Sequence, residues 1–324
     1  MTVLVLVESD DMGVVEVSRE TLAFARSALG AEIDALVVGD LAEPVVAHLA
    51  AHGVGTVRHV SGEAYTAYAA AAWAAAVVAA VEDADGAVTA VVAAGTPRGS
   101  EVLAHVAVRL GVAMAANVVS VAGTDPLVVS RQVLGGAAME ELALDGAVSV
   151  FTVAGHACEP TPADAPGAAH VRALDVSVAS DDLRARVTRT EPGEPDESGD
   201  LTSARVVVGA GRGAGSADGF KDLLELTDLL GGALGVSRVV TSLGWRPHHE
   251  QVGQTGSRVS PDLYVACGIS GAIQHWAGMS SSKTIVAINT DPDAPMVTKA
   301  HYAVVGDLHE IVPAVNDEIR RRRG

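Results

Sequence analysis

Short, uninterrupted apolar runs alternate with longer amphipathic stretches through the first third of the chain. Residues 3–7, 33–38, 57–60 and 87–93 are Val-, Leu- and Ala-rich runs of strand length. Residues 16–29, 44–51, 67–81 and 100–110 space their apolar positions as helices do. Strands apolar on both faces and separated by helices predict a mostly parallel, twisted sheet covered on both sides. From residue 117 the pattern changes. Residues 117–121, 127–132, 147–153 and 170–178 read as strands without helical intervals, which predicts an antiparallel or mixed edge on the same domain. Residues 155–167 read as a loop. The alternation resumes after residue 201, with strands expected at 205–208, 235–240, 263–267, 284–289 and 302–305. Helices are expected there at 221–234, 272–277 and 308–320. Between the two halves lies EPGEPDESGD at 191–200, with five acids, two prolines, two glycines and no apolar anchor. The expected organisation is α/β, with a parallel-sheet domain and mixed edge strands over 1–190, a linker over 191–200 and a second domain over 201–324.

Composition sharpens this picture in few places. The chain is 49% hydrophobic but only 3% aromatic, so its cores are expected to be Val, Leu and Ala. The alanine-rich stretch at 64–81 is bounded by Glu63 and Glu82 and reads as a buried helix rather than a membrane span, so no membrane insertion is expected. A formal net charge of −18 suits a solvated surface and excludes a nucleic-acid backbone as partner, which would need a basic footprint. Cys158 and Cys267 have neither metal spacing nor the look of a disulfide framework. The start, MTVLVLVESD, has no basic segment or cleavage site before its first strand, so a cytoplasmic location is expected.

The candidate chemistry gathers at glycine turns in the second half. The run 263–267 delivers Gly268-Ile269-Ser270-Gly271 to a helix start, an arrangement in which backbone N–H groups can approach a phosphate. Ser270 adds a hydroxyl there, and Gln274 and His275 follow with polar tips. VGQTG at 252–256 sets Gln254 and Thr255 between glycines, with Gly256 closing the turn. Arg212 sits in GAGRGAG at 209–215, Ser237 and Arg238 near another strand end, Asn289 before TDPDAP, and Asp307 at the start of the last helix. Plainer roles stand beside these: His275 as an internally bonded histidine, Arg212 as a surface charge, Asp307 as a helix N-terminal acid. The turn Gly95–Ser100 is either a phosphate loop with Arg98 or, the favoured reading, a helix start capped by Ser100. His248-His249-Glu250 lacks third and fourth ligands, so no metal is expected. Leu223, Leu226, Leu230 and Leu234 form a core stripe, and the four arginines from Arg320 to Arg323 suit a helix C-terminus. No nucleophile–base–orienter set is visible, which favours holding an extended, phosphorylated, redox-active ligand over cleaving a bond. A nucleotide-binding enzyme of hydrolase or ligase type is the alternative, and a structural or regulatory partner that lacks the ligand is a third.

At these residues the chain closely resembles the alpha subunit of electron transfer flavoprotein. The resemblance rests on LYVACGISGAIQHWAGM at 263–279 followed by TIVAINTDPDAP at 284–295, together with VGQTG and GVSR at 235–238. GAGRG at 209–213 stands where the family has a GGRG turn. The resemblance is strong over 201–320 and collinear through the first domain. It implies a doubly wound second domain that holds one FAD. In that family's terms Arg212 and Arg238 resemble the arginines near the flavin, with Ser237 beside them. Gln254, Thr255 and Gly256 resemble the loop at the isoalloxazine, with Thr255 near N5. Ser270, Gly271 and Gln274 resemble the ribityl and pyrophosphate contacts, and His275 the histidine on the ring's O2 side. Asn289 and Asp307 resemble residues at the adenosine end. The implied partner is a beta subunit that packs against the first domain in a heterodimer and carries AMP, or a second FAD in the electron-bifurcating branch. Flavin dehydrogenases would donate electrons, and a membrane quinone oxidoreductase or another acceptor would take them. The stretch Arg246-Pro247-His248-His249 departs from the family pattern before VGQTG, as does Gly135-Gly136-Ala137-Ala138 in the first domain.

Overall fold

The structure is a computed structural model that describes residues 2–84, 87–133, 138–190, 201 and 203–323. Its contacts divide the chain into two compact units, Met1–Gln132 with Met139–Glu191, and Val133–Ala138 with Pro192–Gly324. The expected linker at 191–200 lies outside the described residues, as does most of the departure at 135–138.

The first unit opens with β1 (Thr2–Leu6), a small hairpin of β2 (Ser9–Asp10) and β3 (Gly13–Val14), α1 (Glu16–Leu29), β4 (Glu32–Val38) and α2 (Glu43–Ala51). Next come β5 (Val54–Val60), α3 (Ala70–Asp83), β6 (Val88–Ala94) and α4 (Pro97–Leu110). The remaining strands are β7 (Met114–Thr124), β8 (Leu127–Val133), β9 (Ala138–Leu144), β10 (Ser149–Val153) and β11 (His170–Ala173). They form one nine-stranded sheet in the order β11-β5-β4-β1-β6-β10-β7-β8-β9. Period-two alternation splits β1 between two cores: Val3 and Val5 pack with α1 residues Leu22 and Phe24, while Leu4 and Leu6 pack with the alanine helix α3. No helix among the described residues is long and apolar enough to cross a membrane.

Three sequence expectations change here. The run at 147–153 was expected in an added edge, yet β10 lies inside the sheet, parallel to both β6 and β7. All five of its residues are buried, as an interior parallel strand requires, and β8 supplies the antiparallel partner of β7. The strand expected at 170–178 stops at Ala173 and closes the opposite edge, parallel to β5. At Gly95–Ser100 the capping reading fits, but the cap is Thr96, whose Oγ1 accepts from Gly99 N at 2.8 Å. Arg98 stacks over Tyr68 and Trp73, 4.8 and 5.4 Å from the ring centroids.

The second unit runs β12 (Val206–Ala210), α5 (Lys221–Leu230), β13 (Ala233–Val236), α6 (Arg238–Ser242) and β14 (Leu263–Cys267). It continues with α7 (Ile273–Trp276), β15 (Thr284–Asn289), α8 (Pro295–Lys299), β16 (Tyr302–Val305) and α9 (Leu308–Arg323). Its five parallel strands lie in the order β13-β12-β14-β15-β16, the doubly wound arrangement. The chain starts in β12, steps out to β13, and returns to the far side of β12 as β14. That reversal opens a crevice at the carboxyl ends of β12 and β14, where open α/β sheets take their ligands. The helix expected over 221–234 ends at Leu230, because Gly231 turns left-handed at φ 62 and releases Leu234 into β13. The strand expected over 235–240 likewise ends at Val236, so Ser237 precedes α6 and Arg238 opens it.

Candidate functional site

A cleft of about 830 Å³ occupies that crevice in the second unit. Five successive strands deliver its walls. The turn after β12 supplies Arg212, and the turn after β13 supplies Ser237 and Arg238. The turn after β14 supplies Ser270, Gln274 and His275, and Asn289 and Asp307 come from the ends of β15 and β16. These residues, spread over nearly a hundred positions of sequence, meet because parallel strands all present their carboxyl ends on one side of the sheet.

The floor depends on close approach of two backbones. Gly211 N donates to Cys267 O at 2.9 Å, and Gly213 N to Gly268 O at 3.1 Å. A Cβ on Gly211 would lie 2.2 Å from Gly268 O, and one on Gly213 would lie 2.6 Å from Gly268 Cα. Gly271, expected among the contacts, does not line the cleft; at φ 83 it seats the turn against Met296, whose backbone N a Cβ would reach at 2.3 Å. The helix start expected to cradle a phosphate shrinks to one turn, α7, since the chain must turn at Gly278 to pack on Gly253.

The cleft is electrostatically graded. Arg212 and Arg238 are exposed and form no ion pair among the described residues, while Asp291 and Asp307 stand on the β15–β16 side. Asn289 brackets two turns, donating from Nδ2 to Ile269 O at 3.0 Å and accepting from Asp291 N at 3.1 Å. Asp307 fills the plain helix role as well, accepting from His309 N at 2.9 Å at the start of α9. Among the described residues, Ser237 lines the cleft and buries its Oγ without a hydrogen-bond partner. Such an atom is costly to leave unpaired, and a polar ligand in the cleft could satisfy it.

His275 is more deeply set than its sequence position suggested. It is 6% exposed, with Nε2 2.9 Å from the Tyr264 hydroxyl. Burial pushes its pKa down from 6.5 to about 4, outweighing a hydrogen bond to the Val252 backbone that acts in the opposite direction. A folded-state pKa below the unfolded one means the unfolded chain binds the proton more readily. The stabilisation from this neutral ring is therefore complete above about pH 6.5 and lost as pH falls towards 4, and amounts to about 3 kcal/mol. Thermal melts of the full chain are expected to drop more steeply across that window than those of His275→Gln. Parallel curves would show that the ring is not held neutral by the fold.

The VGQTG loop sits behind α7. Gln254 N donates to Gln274 O at 2.7 Å, and Val252 N to Val236 O at 2.9 Å. Gln254, Thr255 and Gly256 are therefore beside the cleft without lining it, and Gln254 and Thr255 are exposed. Val239, Ser242, Thr290 and Asp291 do line it and were not singled out from sequence. Reading 235–240 as one strand hid the first two. Glu250 is buried and held by Arg246, whose Nε donates to Oε2 at 2.8 Å, while His248 and His249 are exposed.

Comparison with known proteins gives a consistent picture. A family model described as the electron transfer flavoprotein domain matches residues 3–179, and one described as the electron transfer flavoprotein FAD-binding domain matches residues 200–280. The chain is 39% identical over 323 residues to the electron transfer flavoprotein subunit alpha of Mycobacterium leprae (strain TN), covering 99% of each chain. It is 40% identical over 324 residues to that of Mycobacterium tuberculosis (strain ATCC 25618 / H37Rv), again covering 99% of each. The Bacillus subtilis (strain 168) protein of that name is 32% identical over 321 residues, 98% of this chain and 97% of the relative.

Proposed function

The chain belongs to the electron transfer flavoprotein alpha-subunit family, and on that premise we propose that its C-terminal cleft holds one FAD in a heterodimeric electron carrier. The partner is a beta subunit that docks on the N-terminal unit and carries AMP. Electrons enter from flavin dehydrogenases and leave to a membrane quinone oxidoreductase or another acceptor. When bound, FAD supplies the electron-accepting ring. The protein's own residues bind it, orient it and set its electrostatic surroundings.

The observation that carries this reading is the convergence on one cleft of two arginines without an ion pair among the described residues and of Ser237, whose hydroxyl is buried without a partner. A diphosphate-bridged ligand with a hydrogen-bonding ring fits such a donor set. Arg212 and Arg238 offer cations to the flavin end. Ser237 Oγ is the group that gains a partner on binding, and His275 lines the same wall. Ser270 and Gln274, in the turn seated by Gly271, hold the ribityl and pyrophosphate portion, and Asn289 and Asp307 face the adenosine end. Gln254 and Thr255, with Gly256 shaping their turn, approach the ring from the loop beside α7.

Co-expression with the beta subunit, followed by gel filtration and a visible spectrum, tests the reading. One FAD per heterodimer, with the flavin lost when the C-terminal cleft is disrupted, is the expected result. A colourless heterodimer after incubation with FAD would refute it.

A further inference from the structure

The charges that line the cleft are sorted by strand. Across the order β13-β12-β14-β15-β16, the turns after β13 and β12 supply Arg238 and Arg212, and the ends of β15 and β16 supply Asp291 and Asp307. Ser237, at the cationic end, is 9% exposed with its Oγ unpartnered, which marks the crevice as built for a polar ligand. Asp291 has so far no part in holding that ligand. Its backbone N donates to Asn289 Oδ1 at 3.1 Å, and Asn289 Nδ2 donates to Ile269 O at 3.0 Å, so the residue is tied to the turn after β14. Its own Oδ1 accepts from Asp293 N at 2.9 Å. Asp307 repeats the arrangement one strand further on, with Oδ1 accepting from His309 N at 2.9 Å. Each carboxylate is thus held through one oxygen, and Oδ2 keeps no partner among the described residues.

We propose that Asp291, together with Asp307, sets the specificity of the β15–β16 wall, which accepts a ribose with free hydroxyls and rejects one that carries a phosphate, an inference that rests on the FAD reading above. An ionised carboxylate is an acceptor only. Its free oxygen takes an O–H from a sugar and offers a phosphate nothing but repulsion. Dinucleotide sites use an acid in this way, and an arginine where a ribose phosphate has to be held. The arginines of this cleft stand away from that wall. Neighbouring strands lie about 4.8 Å apart, so β15 is roughly 10 Å and β16 roughly 14 Å from β12. Both spacings exceed the screening length of about 8 Å at physiological salt. A phosphate on the acidic side would therefore meet two like charges without relief from Arg212 or Arg238.

The test uses the heterodimer stripped of flavin and follows, by flavin fluorescence, how two probes compete with FAD. ADP-ribose and its adenosine 2′-phosphate differ only in that phosphate. ADP-ribose is expected to compete, and the phosphorylated probe to compete about tenfold less well. Asp291→Asn keeps the oxygen that accepts from Asp293 N and removes the charge. It is expected to narrow the ratio severalfold by strengthening the phosphorylated probe, and Asp291→Glu, which restores the charge, to restore the ratio. Equal competition by the two probes in the wild type, or an unchanged ratio in Asp291→Asn, would overturn the proposal. So would a failure of both probes to compete, since no ribose would then be held at this wall. Should Asp291→Asn fail to fold, the salt dependence of the wild-type ratio decides the matter, because repulsion between like charges requires it to narrow as salt rises. A wild-type heterodimer that takes up no FAD would instead remove the FAD reading, and this inference with it.

Discussion

Replacing Gly268 with alanine is expected to destabilise the C-terminal unit by about 3 kcal/mol and to abolish stoichiometric FAD retention. Two costs combine. Gly268 sits at φ 61, where a side chain strains the backbone by roughly 1 kcal/mol. Its Cβ would also lie 2.6 Å from Gly213 Cα and 2.8 Å from Leu308 Cδ2. The first of these neighbours is backbone and has no rotamer to change, so the turn after β12 must move away from the turn after β14. Overpacking of this kind typically costs about 1–3 kcal/mol. The displacement carries Arg212 on one side and Ser270 on the other, which separates the two walls of the cleft. The measurement is FAD content after gel filtration beside a thermal melt. Wild-type flavin content at an unchanged melting temperature would show that the approach of these turns is not what builds the site.

Arg238→Ala is expected to lower the flavin midpoint potential by about 60 mV while leaving most of the FAD bound. Arg238 lines the cleft and has no carboxylate partner among the described residues. A cation favours the electron-rich form of a neighbouring ring. At 4 Å and an effective dielectric near 20 the interaction would be about 4 kcal/mol, and solvent exposure reduces it severalfold. A remainder of about 1.4 kcal/mol is a tenfold change in the equilibrium constant, or about 59 mV for a one-electron couple. Arg238→Lys separates charge from shape, since it keeps the cation and loses the planar fork. A redox titration in which Arg238→Ala matches the wild type would remove Arg238 from the ring's surroundings.

Much of this architecture could be read from local pattern. The strands Leu263–Cys267, Thr284–Asn289 and Tyr302–Val305 and the helix Glu16–Leu29 match their expected bounds, because apolar run length and helical spacing are properties of neighbouring residues. The glycine turns were legible for the same reason: a strand running into Gly-rich sequence before polar residues is a local signal. Where a glycine's neighbour in space decided the outcome, local pattern failed. Leu234 continues the leucine spacing of α5, yet Gly231 ends the helix and sends Leu234 into β13. The place of β10 between β6 and β7 was also illegible, since a buried apolar strand carries no mark of which strands will flank it.

By itself, then, the sequence determined the α/β alternation, the two-part organisation it led one to expect, and the set of turns able to meet a ligand. Only the tertiary structure decided that β12 and β14 would be neighbours, and so that Arg212 and Ser270 would face one cleft. It also decided that His275 would be buried against Tyr264 and that Gln251 would link Thr241 to Thr255. The reason is physical. Propensity and periodicity act over a few residues, whereas desolvation, backbone collision and the direction of a hydrogen bond depend on groups that only the folded sheet brings together.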